Sequence, residues 1–195
     1  MPSKSLIRWN VDRARALDEI RDAHRAVGGH GRGRRYATQQ VNHAYLVLLS
    51  SQFQGFCRDL HSEAVDFLIR RVQPVSLQRI LRARFTEGRK LDTGNPNPGN
   101  LGADFGRLGM ELWTMVSTVD RRTTNRKKEL EKLNSWRNAI AHQDVDPVRL
   151  RQLTGKTKLG LKDVGLWRSA CAALATSFDR AVRDHVKALV GVTPW

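Results

Sequence analysis

A single long apolar pattern limits what this chain can fold into. Between about residues 38 and 72 the apolar side chains recur at steps of three and four, and Pro74 follows. This spacing places them along one side of an α-helix, and proline cannot continue a helix. The spacing therefore predicts one long helix built on Val41, Tyr45, Leu48, Leu49, Phe53, Phe56, Leu60, Ala64, Phe67 and Leu68.

The rest of the chain shows the same helical spacing. Glycine and proline interrupt it in "VGGHGRGRR" (27–35) and "DTGNPNPGNLG" (92–102), which are predicted loops. No segment alternates with a period of two, so no strand is predicted. The fold class is therefore all-α, an antiparallel bundle of about five or six helices. Besides the long helix and a motif helix near residue 137, helices are predicted over 6–26, 76–90, 103–119 and from near Asp163 onward.

Size and composition favour one domain, 1–195, in which an N-terminal helix and a Gly/Arg-rich loop occupy residues 1–35. The chain has 195 residues, of which 40% are hydrophobic, and this is enough for a single core.

"MPSKSLIRWN" lacks the apolar segment of a signal peptide, and the run "AYLVLL" is too short to cross a membrane. Cys57 and Cys171 lie in apolar helical patterns and are expected to be buried thiols. A cytoplasmic location without a membrane partner is expected.

The charge of the chain favours a polyanionic partner. Lys and Arg number 34 against 19 acidic residues, which gives a formal net charge of +15. Such a field attracts nucleic acid, although codon bias in a GC-rich genome would also raise the arginine content. The basic loops 28–35 and 154–160 are either guides for RNA or plain solvated loops.

The segment "SWRNAIAHQD", residues 135–144, places three hydrogen-bonding side chains beside an apolar helix face. Asn138 and His142 are four residues apart and therefore lie on one face, with Arg137 beside it. The spacing Arg-x4-His is weak evidence alone, because the chain also contains it at Arg25 with His30 and at Arg180 with His185.

In a first interpretation, the segment is a small phosphate-handling site. Asn134 or Ser135 would cap the motif helix, so that Arg137 lies in the first turn, where backbone N–H groups attract an anion. The Asn138 amide would orient the His142 imidazole. No Cys, His or carboxylate cluster has the spacing of metal ligands, so neither a metal nor another cofactor is expected.

In a second interpretation, the same residues only stabilise the fold. Arg137 would pair with Asp144 or Glu131, Asn138 would cap a helix, and His142 would be a half-buried surface residue. The chemistry of the residues alone leaves both interpretations open.

"LNSWRNAIAHQD" resembles the signature of the HEPN superfamily, which is Arg-x4-6-His, often with Asn directly after the Arg. "VNHAYLVLLSSQFQGFCRDLHSEAV" is similar to the long second helix of RiboL-PSP-type HEPN proteins, and the order of elements agrees from about 36 to 190. The positions that match the motif are Arg137, Asn138 and His142. Some HEPN toxins carry a Tyr two residues after the His, which a partner nucleotidyltransferase modifies. Asp144 stands there, so that form of control is not expected.

The HEPN resemblance implies a dimeric helical bundle whose two motif helices face each other across the two-fold axis. Many members are metal-independent ribonucleases of toxin–antitoxin systems, phage defence or RNA processing. The resemblance therefore implies RNA as substrate, a homodimer as the active form and an antitoxin or other protein as a further partner. A HEPN-like module that binds RNA or protein without cutting is the alternative. A basic DNA-binding protein is less favoured, because no convincing helix-turn-helix is found.

The chemistry of the motif residues fits RNA cleavage by the neighbouring 2′-OH. One His would act as base and a second as acid, and Arg137 would stabilise the charge of the phosphorane. Each protomer supplies one His at this site, so the mechanism requires two copies of the chain. The products would end in 2′,3′-cyclic phosphate, and DNA would not be cut. The candidate RNA-binding residues, in the basic stretch before the motif, are Arg121, Arg122, Arg126 and Lys127.

Overall fold

A computed structural model of the protein describes residues 1–28 and 35–195, and the predicted all-α class is confirmed for them, since they contain helices and no strand. Most of the predicted loop 27–35, with His30, lies outside the described residues. The elements are α1 (Lys4–Arg8), a π-helical turn (Trp9–Arg13), α2 (Ala14–Gly28), α3 (Arg35–Ile69), α4 (Ser76–Thr86), α5 (Lys90–Thr93), α6 (Pro98–Gly106), α7 (Leu112–Val119), α8 (Thr123–Ala141), α9 (Pro147–Thr154) and α10 (Leu161–Val190).

Helix α3 is the predicted long helix, and it lies at the centre of the molecule. It packs against α1, α2, α8 and α10, so more than one of its faces is covered. Phe53 and Phe56 are completely buried, and the Trp9 ring lies 5.8 Å from each of them. A helix that is apolar on several sides needs neighbours on all of those sides, and the long helices supply them. The N-terminal segment belongs to this same core through Leu6, Trp9 and Leu17.

Helices α8 and α10 run antiparallel, as predicted for the bundle. The indole Nε1 of Trp167 donates to Glu129 at 3.0 Å, and the Ser177 hydroxyl donates to Asp120 at 3.4 Å. As residue numbers rise along α10 from Trp167 to Ser177, the partners fall from Glu129 in α8 to Asp120, three residues before α8 begins. This pairing holds the helix that carries the motif against the longest C-terminal element.

Helices α3 and α10, in contrast, run parallel. The Arg168 guanidinium donates to the Tyr45 hydroxyl at 3.2 Å, and the rings of Phe53 and Phe178 lie 6.1 Å apart. Because α8 runs antiparallel to α10, it also runs antiparallel to α3, so the long helices α3, α8 and α10 alternate in direction along the chain. The first and third helices of an antiparallel bundle are parallel to each other, so the parallel pair α3 and α10 agrees with the predicted antiparallel bundle.

The segment between α4 and α8 is more helical than predicted. Asn97 is the N-cap of α6 and accepts a hydrogen bond from the Asn100 N–H, while Pro98 occupies the first helical position. Part of the predicted loop 92–102 is therefore helix, since both residues are favourable there. The helix predicted over 103–119 is interrupted between α6 and α7, where Gly109 has φ +70°.

The helix that carries the motif, α8, begins at Thr123. This is eleven residues before Asn134, the first of the two predicted N-cap residues. The Asn134 side chain is buried, and its Nδ2 donates to the carbonyls of Leu130 and Pro96. The Ser135 hydroxyl donates to the Glu131 carbonyl within the helix. Neither residue caps α8, so the prediction of a cap at 134 or 135 is wrong.

Two predictions made for other parts of the chain can also be compared with the structure. Cys57 and Cys171 are buried and free, as predicted, and burial raises the pKa of both thiols. In residues 1–28 and 35–195, no helix combines the length and the apolar character needed to cross a membrane.

Candidate functional site

The three motif residues lie at the C-terminal end of α8. Arg137 and Asn138 are half-buried in the last turns, and His142 is the exposed C-cap residue. The chain leaves the helix through Gln143, whose φ is +55°. Asp144 N–H donates to the Ala139 carbonyl at 2.9 Å, which closes the helix as a Schellman motif and fixes the position of the His142 backbone.

The helix N-terminus does not contribute to this site. Thr123 is the first residue of α8, and Arg137 lies about 21 Å further along the axis at 1.5 Å per residue. The helix end beside His142 is the carbonyl end, which carries the negative pole of the helix dipole and favours cations. The prediction that Arg137 lies in the first helical turn is therefore wrong. Charge for binding an anion must come from side chains.

The Arg137 guanidinium is free of carboxylates among the described residues. Its only hydrogen bond there joins Nη1 to Oδ1 of Asn138 at 3.3 Å. Asp144 pairs with Arg149 instead, at 3.5 Å. The interpretation in which Arg137 pairs with Asp144 or Glu131 is therefore contradicted. A cation without a counterion remains able to bind an anionic ligand.

Asn138 is held by a residue from a distant part of the chain. Asn95, in the turn between α5 and α6, donates from Nδ2 to Oδ1 of Asn138 at 2.8 Å. Asn138 lies inside α8 and is not a helix cap. Within the described residues no hydrogen bond joins it to His142, so the predicted orientation of the imidazole by this amide is not found. Its own Nδ2 has no hydrogen-bond partner among residues 1–28 and 35–195.

A groove of about 350 Å³ lies between the end of α8 and α9. Asn138 and His142 both line it, which agrees with their predicted position on one helix face. The Trp136 indole donates to Thr154 Oγ1 at 3.1 Å and so attaches α9 to α8 below the groove. The lining combines apolar, hydroxyl and charged groups from Ser135, Asn138, Ala139, His142, Asp144, Asp146, Arg149, Leu150 and Leu153.

The predicted RNA-binding residues lie at the other end of α8. Arg121 and Arg122 are exposed there. Arg126 forms an ion pair with Asp120, and Lys127 Nζ lies 5.2 Å from the centre of the Trp113 ring. The distance from these four positions to Arg137 is about 15–24 Å along the helix axis. The structure therefore does not bring them into the groove, and it leaves Arg121 and Arg122 the most accessible of the four.

Several groove residues were not predicted from the sequence. Asn95, Asp146 and Arg149 each contact or line the site, and none belongs to the motif. Asparagine between glycine and proline is typical of turns, but this signal does not say which helix the side chain will reach. In the part of the chain that the structure describes, no three His, Cys, Asp or Glu side chains are close enough to hold a metal ion together.

Comparisons of the chain with protein-family models, with curated proteins and with solved structures gave no match. The resemblance to HEPN proteins therefore depends on Arg137, Asn138 and His142, on the long helix that precedes them and on the order of the elements.

Proposed function

We propose that this protein is a metal-independent endoribonuclease of the HEPN type that acts as a homodimer. The observation that carries the proposal is the state of the three motif side chains. Arg137 has no acidic partner in the described residues, Asn138 has a free donor, and His142 is exposed beside them. Residues that serve only the fold are normally satisfied by neighbours, whereas these three leave their charge, donor and imidazole available to a ligand.

The reaction would use the nucleophile that RNA carries. A His142 imidazole removes the proton of a 2′-OH, whose oxygen attacks the adjacent phosphorus, and the P–O5′ bond breaks. The departing 5′-oxygen takes a proton from His142 of the second protomer. Arg137 stabilises the negative charge that develops on the phosphorane. Asn138 Nδ2 donates to a phosphate oxygen. The products are a 2′,3′-cyclic phosphate and a 5′-hydroxyl.

The surface around the motif supports a second copy of the chain at this place. Val145, Val148 and Leu153 are 40%, 67% and 55% exposed; Leu153 lines the groove, and the two valines are chain neighbours of residues that line it. Exposed apolar side chains grouped beside a polar site are typical of surfaces that bind another protein. A two-fold axis here would place two His142 side chains and two Arg137 side chains in one cleft. A role in a toxin–antitoxin system or in phage defence, with an antitoxin as partner, belongs to the same proposal.

The test is incubation of the purified protein with labelled single-stranded RNA and with DNA of the same sequence, both in EDTA. We expect cleavage of the RNA only, and loss of cleavage in Arg137→Ala and His142→Ala. Light scattering on each variant would confirm that its oligomeric state is unchanged.

Two matched variants control for the loss of a charge or an imidazole. Arg180→Ala removes an exposed arginine from the Arg-x4-His pair Arg180 and His185, and it controls for the loss of a positive charge. His24→Ala removes a histidine from α2, and it controls for the loss of an imidazole. Both should cut RNA at the wild-type rate. Binding of varied RNAs without any cleavage would instead support the alternative function, a HEPN-like module that binds without catalysis.

A further inference from the structure

The turn between α5 and α6 determines which atom of Asn138 faces the groove. We propose that Asn95 is a positioning residue: through its hydrogen bond to Oδ1 of Asn138 it directs the Asn138 Nδ2 donor toward the RNA phosphate. The catalytic consequence rests on the proposed ribonuclease function. The orientation of the amide does not, and it can be measured separately.

The direction of every amide in this cluster follows from a backbone group. The Asn100 backbone N–H can only donate, and it donates to Oδ1 of Asn97 at 2.8 Å. Nδ2 of Asn97 therefore faces Asn95 and donates to its Oδ1 at 2.7 Å. Asn95 must then present its own Nδ2 to Asn138, at 2.8 Å. A fixed donor at one end thus sets the polarity of three side chains in series.

A second fixed donor acts from the other side. The Arg137 guanidinium carries only N–H groups, and its Nη1 lies 3.3 Å from Oδ1 of Asn138. Two donors therefore converge on the Asn138 oxygen, and a reversed amide would place N–H groups against both of them. The amide is held with its oxygen inward, so that its free N–H₂ is left for the groove that Asn138 lines.

The turn itself is held firmly against α8. Nδ2 of Asn100 donates to the Asn95 carbonyl at 2.8 Å, and Nδ2 of Asn134 donates to the Pro96 carbonyl at 3.2 Å. Gly94 is required for the close packing of the turn on α5, because a Cβ there would lie 2.9 Å from the Lys90 carbonyl oxygen. These contacts tie the turn to the helix one turn before Asn138. Asn95 is thus placed by its neighbours before any ligand binds.

The test is a change of hydrogen-bond polarity at nearly constant shape. In Asn95→Asp the carboxylate can only accept, so Asn138 must turn over and present Oδ1 to the groove. In Asn97→Asp the N-cap of α6 is kept, but Asn95 turns over and Asn138 with it. Both variants should cut RNA at least about 10-fold more slowly, since an acceptor then faces the phosphate in place of a donor.

Two controls separate this effect from a loosened turn or from an added charge. Asn100→Ala removes the bond to the Asn95 carbonyl but keeps the Asn100 backbone N–H. Thr93→Asp adds the same charge at an exposed position in the same segment. Thr93→Asp should stay within about 3-fold of the wild-type rate, and Asn100→Ala should lose less activity than Asn95→Asp or Asn97→Asp, because neither control reverses an amide. Wild-type cleavage by Asn95→Asp and Asn97→Asp would overturn the proposal.

Hydrogen exchange of side-chain amides tests the orientation without any cleavage. In ¹⁵N spectra of the wild type, the Asn95 Nδ2 hydrogens should exchange slowly and those of Asn138 quickly. In Asn95→Asp the Asn138 hydrogens should become protected. Protected Asn138 hydrogens in the wild type would refute the assigned direction, even if the protein proves to cut no RNA. Failure of the ribonuclease proposal and failure of this inference are therefore distinguishable.

Discussion

The indole N–H of Trp136 donates to the Thr154 hydroxyl at 3.1 Å, and this bond joins the helix that carries the motif to α9, the other wall of the groove. Both residues are buried, and Thr154 Oγ1 donates in turn to the Leu150 carbonyl at 2.7 Å. The groove therefore depends on a specific contact beneath it as well as on the residues that line it.

Replacing Trp136 with Phe should destabilise the protein by about 1–2 kcal/mol, because it removes this hydrogen bond and leaves a smaller side chain in the core. Urea denaturation of Trp136→Phe, of Thr154→Val and of the double variant measures the effect. The double variant should lose less than the sum of the two single losses, since both remove the same bond. Fully additive losses would show that the two side chains do not interact.

The end of α8 offers a stabilising substitution. Gln143 has φ +55°, a conformation that glycine adopts without steric cost. Gln143→Gly should therefore stabilise the protein by up to about 1 kcal/mol, with Gln143→Ala as the control that retains the cost. Thermal unfolding measures the difference. A lower midpoint for the glycine variant than for the alanine variant would contradict the left-handed C-terminus of α8.

The main helices can be predicted from the sequence, whereas the contacts that build the site cannot. The apolar side chains of α3 and α10 recur regularly enough to predict both helices within a few residues. This regular spacing arises because the apolar side chains of a helix must face the core. The start of α8 is missed because Asn134 and Ser135 are good N-cap residues, and only the contact with Pro96 shows why Asn134 lies inside the helix. The contact of Asn95 with Asn138 spans 43 residues, and no local pattern reports it.

Acid should destabilise the fold through His61. This side chain is fully buried, and burial together with the nearby Arg89 lowers its pKa to about 4. The unfolded chain takes up the proton near pH 6.5, whereas the folded protein resists it until about pH 4. The contribution of His61 to the free energy of unfolding is therefore fully present above pH 6.5. It falls by up to about 3 kcal/mol as the pH falls toward 4.

Denaturation of the wild type and of His61→Gln across this pH range measures the His61 contribution. Gln can still donate to the Asp104 carbonyl, which lies 3.0 Å from Nε2 of His61, but it does not titrate. The difference between the two proteins should shrink or change sign as the pH falls from 6.5 to 4. A constant difference would show that His61 is not held neutral by the fold.

The basic stretch before the motif should divide into RNA contacts and a structural ion pair. Replacement of Arg121 and Arg122 together should weaken RNA binding and lower the slope of log K against log salt by about 1.4, at about 0.7 per phosphate contact of a single strand. Arg126→Ala should instead reduce stability, because it breaks the pair with Asp120. Fluorescence anisotropy at several salt concentrations measures the slopes. An unchanged slope in the double variant would remove these two residues from the RNA path.

The end group left on a cleaved RNA tests the proposed chemistry most directly. An RNA labelled at its 5′ end is incubated with the protein in EDTA, and the 5′ fragment is analysed by mass spectrometry. We predict a 2′,3′-cyclic phosphate, absent with His142→Ala and absent when the nucleotide at the cleavage site is 2′-deoxy. A fragment that ends in a free 3′-hydroxyl, or cleavage that persists without the 2′-OH, would contradict attack by the RNA's own hydroxyl at Arg137, Asn138 and His142.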